Sequence, residues 1–307
     1  MENNWFVVGL FVLLVINTIG AIITVFRCPR SIASVFAWLL ALIFLPGIGF
    51  FLYLFAGRKI DDEIIYRLNS HREQRIEEIN QLIESHNQQF LIESQSSGSE
   101  LLKDYFNYSQ ESPVTRGNQV SIITDGQAKF KQLLQDIQQA KATIHLEYYA
   151  IFDDQIGNQL LQLLVKKAQE GIEVRVLFDP FGGGTTVRFF IPLIQAGGQV
   201  LPFITARDFI RKTRLNYHLH RKVVIIDGKI SWTGGFNVGD RYLNVTKRCG
   251  YWRDTHARII GTASFSLQEV FIRDWNASVT CAEDYLTYQS KFFTLPTQEE
   301  LGNISLQ

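Results

Sequence analysis

Apolar residues recur along this chain in three different patterns, and each pattern predicts a different kind of structure. From Trp5 to Phe26, and again from Ser31 to Phe55, there is no charged side chain. Both runs exceed the ~20 residues that a helix needs to cross a bilayer core. Only Arg27, Cys28, Pro29 and Arg30 separate them, so residues 1–59 are expected to form a two-helix antiparallel transmembrane hairpin. A cleaved signal peptide fits poorly, because no basic residue precedes the first run and no small-residue cleavage site follows it. Pro46, Gly47 and Gly49 interrupt the second run, where lipid-embedded helices tolerate them better than soluble ones do. Arg58, Lys59, Arg67, Arg72 and Arg75 follow the second run. That bias favours a multi-pass protein of the cell membrane with its body in the cytoplasm.

Residues 60–115 read as a charged helical connector. Ile65, Leu68, Ile76, Ile79, Ile83 and Phe90 recur close to a helical period among Glu, Gln, Arg and Asn. Such a stripe can lie on a lipid surface, bind a partner, or pack on the body of the protein. Ser94 to Ser99 is a loop signal.

From about Arg116 the period alternates between two and 3.6. Strands are predicted over 120–124, 143–152, 174–179, 200–204 and 222–226, with helices over 127–140, 158–170 and 189–196 between them. This is the pattern of an α/β domain, a layered sheet with helices on both faces, here over residues 116–280. Ligands in such sheets sit at strand ends and in the loops beyond them.

Composition narrows the chemistry only a little. Thirty Lys and Arg balance thirty Asp and Glu, which argues neither for nor against nucleic acid as a partner. Cys28, Cys249 and Cys281 are too few and too scattered for a disulfide framework or a zinc site. Gly182-Gly183-Gly184 is a weak phosphate-loop signal, since no Lys-Ser or Lys-Thr follows it. Arg207, Arg211, Lys212, Arg214, Arg221 and Lys222 form a basic segment with Asp208 alone against them. It reads as a solvated face, or near a membrane as a lure for anionic headgroups at ~1 kcal/mol per charge.

The densest chemistry lies between His220 and Asn237, HRKVVIIDGKISWTGGFN. His220, Lys222 and Asp227 make H-x-K-x4-D, and Gly234, Gly235 and Asn237 make G-G-x-N. A histidine can attack phosphorus when its pKa lies near the working pH, and a lysine beside it supplies charge for the phosphoryl oxygens. In an extended segment side chains two apart share a face, so His220 and Lys222 point the same way. Asp227 stands at odd spacing from both, and Asp227-Gly228 is a hairpin-turn signal, so Asp227 is expected to fix the strand end or a backbone turn rather than touch substrate. The spacing of His218 and His220 would suit a metal, but no carboxylate or cysteine accompanies them at ligand spacing. Asp254 and His256 could share a strand face near the site, with structural hydrogen bonding as the plainer reading.

The motif resembles the HKD signature of the phospholipase D superfamily. Within it, RCPRSIASVFAWLLALIFLPGIGFFLYLFAGRK, IHLEYYAIFDD, RLNYHLHRKVVIIDGK and YWRDTHARIIG resemble bacterial cardiolipin synthases, from the first apolar run to about Trp275. The resemblance implies a phosphatidyl transferase. Its substrates are two phosphatidylglycerols, its products cardiolipin and glycerol, and it works without a metal or other cofactor. Carried over, His220 is the nucleophile, Lys222 and Asn237 are phosphate-oxygen ligands, and Asp227 is the motif's structural acid. Glu147 lies on the strand that in the superfamily runs beside the active site and is grouped with Gly234 and Gly235 as substrate-binding; a strand-end surface carboxylate, or a buried hydrogen-bonding role between Leu146 and Tyr148, are its other readings. Anionic lipid and a membrane are the implied partners, and nucleic acid is not.

One departure from the family pattern stands out. The superfamily mechanism uses two such motifs, and no second H-x-K-x4-D occurs in these 307 residues. Gly302 to Gln307 weakly resembles Gly117 to Ile122, where the α/β unit begins. Residues 281–307 therefore read as a linker into a missing second half. The other reading is a half-size protein whose homodimer joins two copies of His220. A phospholipase D-type phosphodiesterase and a non-catalytic lipid- or partner-binding half are the alternative functions.

Overall fold

A computed structural model describes residues 32–45, 48–53, 73–90, 113–203, 218–244, 250–279, 281 and 284–306, with seven positions before residue 24. The chain divides into two compact units, Met1–Ile65 with Thr205–Tyr217, and Tyr66–Ile204 with His218–Gln307.

In the first unit, α1 spans Ile32–Phe44 and α2 spans Ile48–Leu52. The end of α1 has a local cause. A proline disfavours helical geometry in the residue before it, and α1 stops one residue short of Leu45, which precedes Pro46. Val35, Trp38 and Leu39 pack with Leu42 around Tyr53. Ile32, Phe36, Leu40 and Phe44 stay exposed on the other side. The sequence led us to expect two membrane-crossing helices. Among the described residues no helix is long and apolar enough to cross a membrane, and most of Trp5–Phe26 lies outside them. Over the second run the described residues form two helices, neither long enough to span a bilayer, and the transmembrane hairpin is not supported by them.

The second unit is built on one sheet. Its strands are β1 (Thr115–Ile123), β2 (Thr143–Tyr148), β3 (Glu173–Phe178), β4 (Gln199–Pro202), β5 (Lys222–Ile226), β6 (Ile230–Gly234), β7 (His256–Ile260) and β8 (Ile304–Leu306), in the order β4-β3-β2-β5-β6-β7-β1-β8. The β2–β3 and β3–β4 pairs are parallel and all others antiparallel. Helices cover both faces, as the alternation predicts. On one side, α4 (Gly126–Gln139) and α5 (Gln155–Gln169) bury Phe130, Leu133, Ile137, Leu160 and Leu164 against Leu146, Val224 and Trp232. Asp125 and Asp154 cap these two helices by accepting from the amides of Ala128 and Gly157. A third helix on this side, α6 (Ile191–Gln195), contributes Leu193. On the other side, α7 (Ala263–Ser278) packs Phe265, Phe271 and Trp275 against Val223 and Ile225.

A helix of the connector, α3 (Glu73–Asn87), places Ile79 and Ile83 in that second core. Of the three uses open to its apolar stripe, packing on the body is the one these residues adopt. Asn87 then fastens it, donating to the carbonyl of Val114 at 2.7 Å and accepting from the Arg116 amide at 2.9 Å. The loop signal at Ser94–Ser99 and the basic stretch from Arg207 to Tyr217 lie outside the described residues.

Asp227 and Gly228 both have positive φ, 51° and 66°, and turn β5 into β6. The Asp227 carboxylate leaves that turn to accept from the amides of Lys141, Ala142 and Thr143, at 2.7 Å from Ala142. It ties the start of β2 to the β5–β6 turn. Charge-assisted bonds of this kind contribute up to ~3 kcal/mol each, so Asp227→Ala should lower unfolding stability by about 3 kcal/mol. Asp227→Asn, which tolerates positive φ, should cost less. Chemical denaturation of the two variants checks this order.

Candidate active site

The register of the sheet brings distant residues to one edge. Tyr148 at the carboxyl end of β2 pairs with Phe178 at the carboxyl end of β3 and with Lys222 at the amino end of antiparallel β5. Gly234 at the end of β6 pairs with His256 at the start of β7. The segments beyond these ends carry Tyr149, Asp179, His218 to Arg221, Gly235 to Asn237 and Asp254. They meet where an α/β sheet places its ligands.

His220 and Lys222 share a face, as their spacing predicts. Lys222 Nζ donates to the His220 carbonyl at 2.8 Å and lies 3.4 Å from His220 Nδ1. The lysine is 5% exposed. Its pKa is lowered by burial, with the nearby charge of Asp254 opposing the shift. The His220 ring is exposed and tilts onto Tyr149, centroids 4.6 Å apart. Its pKa is lowered first by partial burial and then by the Lys222 charge, against the pull of Asp179. Neutral imidazole, the nucleophilic form, is therefore the main species at pH 7.

Asn237 is buried beside them. Its Oδ1 accepts from the Ala150 amide at 3.2 Å and its Nδ2 donates to the Tyr242 hydroxyl at 3.0 Å. An amide nitrogen has two hydrogens, so one remains for a ligand. Gly234 and Gly235 serve the site through close approach. A Cβ on Gly234 would lie 2.3 Å from the Thr255 carbonyl oxygen, and one on Gly235 would lie 2.0 Å from Asp254 Oδ1. Their lack of side chains lets the segment before β7 close against the end of β6.

Asp227 and Glu147 do not join this edge. Asp227 sits at the far end of β5, roughly 16 Å along the strand from Lys222, and holds backbone amides as described. Glu147 alternates with Tyr148 and so faces the α7 side of the sheet, opposite Lys222. It is fully buried, and its Oε1 accepts from Arg221 Nε at 2.8 Å. Burial raises its pKa to about 7, and Arg221 opposes the rise.

Sequence reasoning passed over Tyr149 and Asp179. Asp179 Oδ2 accepts from the Leu219 amide at 2.6 Å and lies 3.5 Å from His218 Nδ1. The signal for it was a carboxylate at the end of a predicted buried strand. His256 is fully buried, and burial with the charges of Lys129 and Lys222 lowers its pKa to about 2. It stays neutral near pH 7, with one ring nitrogen protonated. Among the described residues, no group of three or more His, Cys, Asp or Glu side chains is gathered as for a metal ion.

Comparison with known proteins bears on the same residues. A family model described as "Cardiolipin synthase, PLD-like domain" matches residues 133–275, and one described as "Phospholipase_D-nuclease N-terminal" matches residues 15–58. A cardiolipin synthase of Staphylococcus aureus is 38% identical, over 99% of this chain and 61% of its own length. One of Listeria welshimeri is 38% identical, over 97% of this chain and 62% of its own. The chain thus spans about three fifths of these relatives. Among solved structures, NucT from Helicobacter pylori is similar with a TM-score of 0.41 and 15% identity, covering 53% of this chain and 98% of that one. The first family model encloses His220, Lys222, Gly234, Gly235 and Asn237, so the residues of this edge lie within the part of the chain that is similar to the PLD-like domain of cardiolipin synthases.

Proposed function

We propose that this chain carries the nucleophile half of a phosphatidyl transferase that makes cardiolipin and glycerol from two phosphatidylglycerols. The observation that carries the reading is the His220–Lys222 pair, a neutral exposed imidazole whose neighbour is a buried ammonium 3.4 Å away. A His220 lone pair attacks phosphorus and forms the N–P bond, and the P–O bond to the leaving glycerol breaks. Lys222 and the spare N–H of Asn237 hold the phosphoryl oxygens while charge accumulates on them. The leaving oxygen takes a proton from a second group. That group next removes a proton from the hydroxyl of another phosphatidylglycerol, whose oxygen attacks phosphorus and frees His220.

The second group is assigned to another HKD motif, supplied by a further half or by a second copy of the chain in a homodimer. Proton transfer of this kind contributes ~10²–10⁴ in rate, so a lone motif should turn over phosphatidylglycerol poorly. The first sixty residues are assigned to membrane attachment. The two uncharged runs support this, as do the match over 15–58 and the apolar side chains exposed on α1.

An aryl phosphodiester with a p-nitrophenolate leaving group needs no proton from a second motif and isolates the His220 step. The 307-residue chain should become labelled on His220 by such a compound, and His220→Ala should not. The rate should be level above pH 6.5 and fall below it, because the lowered pKa of His220 keeps the ring neutral until the medium is more acidic than that. Absence of labelling in the native chain would sink the mechanism. For the membrane assignment, alkaline carbonate should leave the protein in the membrane pellet. Its appearance in the supernatant would refute integral attachment.

A further inference from the structure

We propose that Arg221, held between Glu147 and Asp274, is a positioning residue that sets the placement of His220 and Lys222 from the opposite face of the sheet. The inference rests on the reading of His220 as nucleophile and deepens it. Arg221 stands between the two site residues in sequence, so its side chain points away from both. Its backbone remains in the ladder, since its carbonyl accepts from the Tyr149 amide at 3.1 Å. Its guanidinium reaches the α7 layer, where Nε donates to Glu147 Oε1 at 2.8 Å and Nη2 pairs with Asp274. Both carboxylates are fixed by their elements, Glu147 in the middle of the sheet and Asp274 in the last turns of α7.

The energetics favour geometry over stability as the reason for this arrangement. Glu147 is fully buried and Asp274 is 6% exposed. Removing such charges from water costs several kcal/mol per ion, and well-packed neutral side chains of similar size are commonly as stable or more so. Glu147 Oε2 has no hydrogen-bond partner among the described residues. A buried carboxylate with half its capacity unused is a poor stabiliser. What it does secure is the direction of a rigid, planar guanidinium.

The segment that carries His220 needs such an anchor. His220 and Arg221 precede the first residue of β5, where no regular pairing with β6 has begun. On its other side the backbone is fastened at Leu219 by Asp179. Arg221 supplies the second fastening, so the nucleophile hangs between two anchored neighbours. A displacement of about 1 Å at a reacting group can cost ~10²-fold in rate, which makes small slack at this point consequential.

The test uses the full 307-residue chain with Arg221→Lys, which keeps the charge and loses the fork. A second variant combines Arg221→Met, Glu147→Gln and Asp274→Asn, which removes all three charges together. Carbethoxylation of each histidine by diethylpyrocarbonate, followed by mass spectrometry across pH, reports the state of His220. Protection of the buried His256 reports that the fold is intact. In both variants His256 should stay protected while the His220 titration moves up toward 6.5, away from the influence of Lys222. Labelling by the aryl phosphodiester should slow by ~10-fold or more at unchanged half-saturation. A His220 titration and labelling rate like those of the native chain would overturn the proposal. Failure of the native chain to label would instead refute the nucleophile reading, and the carbethoxylation profile would still decide the role of Arg221.

Discussion

Everything at the candidate site depends on one pairing in the sheet, Tyr148 on β2 with Lys222 on β5. β2 runs parallel to β3 and antiparallel to β5. The carboxyl ends of two strands and the amino end of a third are therefore forced to the same edge. A slip of one residue would send Lys222 and His220 to the α7 face and bring Arg221 to theirs. The core resists such a slip, because Val224 and Ile226 are fitted to one layer of helices and Val223 and Ile225 to the other. Packing on both faces holds the register, and the register holds the chemistry.

The electrostatics of the edge follow from depth. Lys222 is nearly buried and His220 is exposed, yet both have lowered pKa values. Burial disfavours the charged form of both groups, and the ammonium adds to that effect on the imidazole. One device thus keeps the histidine neutral and supplies charge where a phosphoryl oxygen would come to rest. Asp179 and Asp254 act against these shifts from either side. Behind the site, Lys129 is fully buried and donates to the Tyr148 hydroxyl at 3.0 Å. Burial holds its pKa well below the usual value. The polar interior does not stop at the residues that face solvent.

Close backbone approach is the other recurring device. Gly234 and Gly235 admit the segment that carries Asp254, and the Asp227 carboxylate caps three amides across the β2–β5 boundary. Both belong to the sequence motif, and both act on architecture. The motif is therefore partly a record of reactive atoms and partly a record of the turn that presents them.

The sequence by itself determined the α/β class, three of the five predicted strands to within two residues, the two long helices α4 and α5, and the shared face of His220 and Lys222. Those features are local. Period, turn chemistry and alternation are written in neighbouring side chains and need no partner to be read. Of the other two, β1 begins five residues earlier than predicted, at Thr115, and β2 is overextended by the prediction, because Tyr149 to Phe152 is as apolar and aromatic as β2 itself but leaves the ladder after Tyr148. Strands β6 and β7 and helix α7 went unpredicted, since their apolar residues follow no clean period. Ser231 and Gln268 are buried as polar groups, and exposure alternates poorly along β7. Only the tertiary structure decided that Glu147 faces away from Lys222, that Asp227 lies at the opposite edge, and that Asp179 and Tyr149 stand beside the histidines. Each of these depends on which strands are neighbours and in which direction they run, and pairing between segments far apart in sequence leaves no local trace in either one.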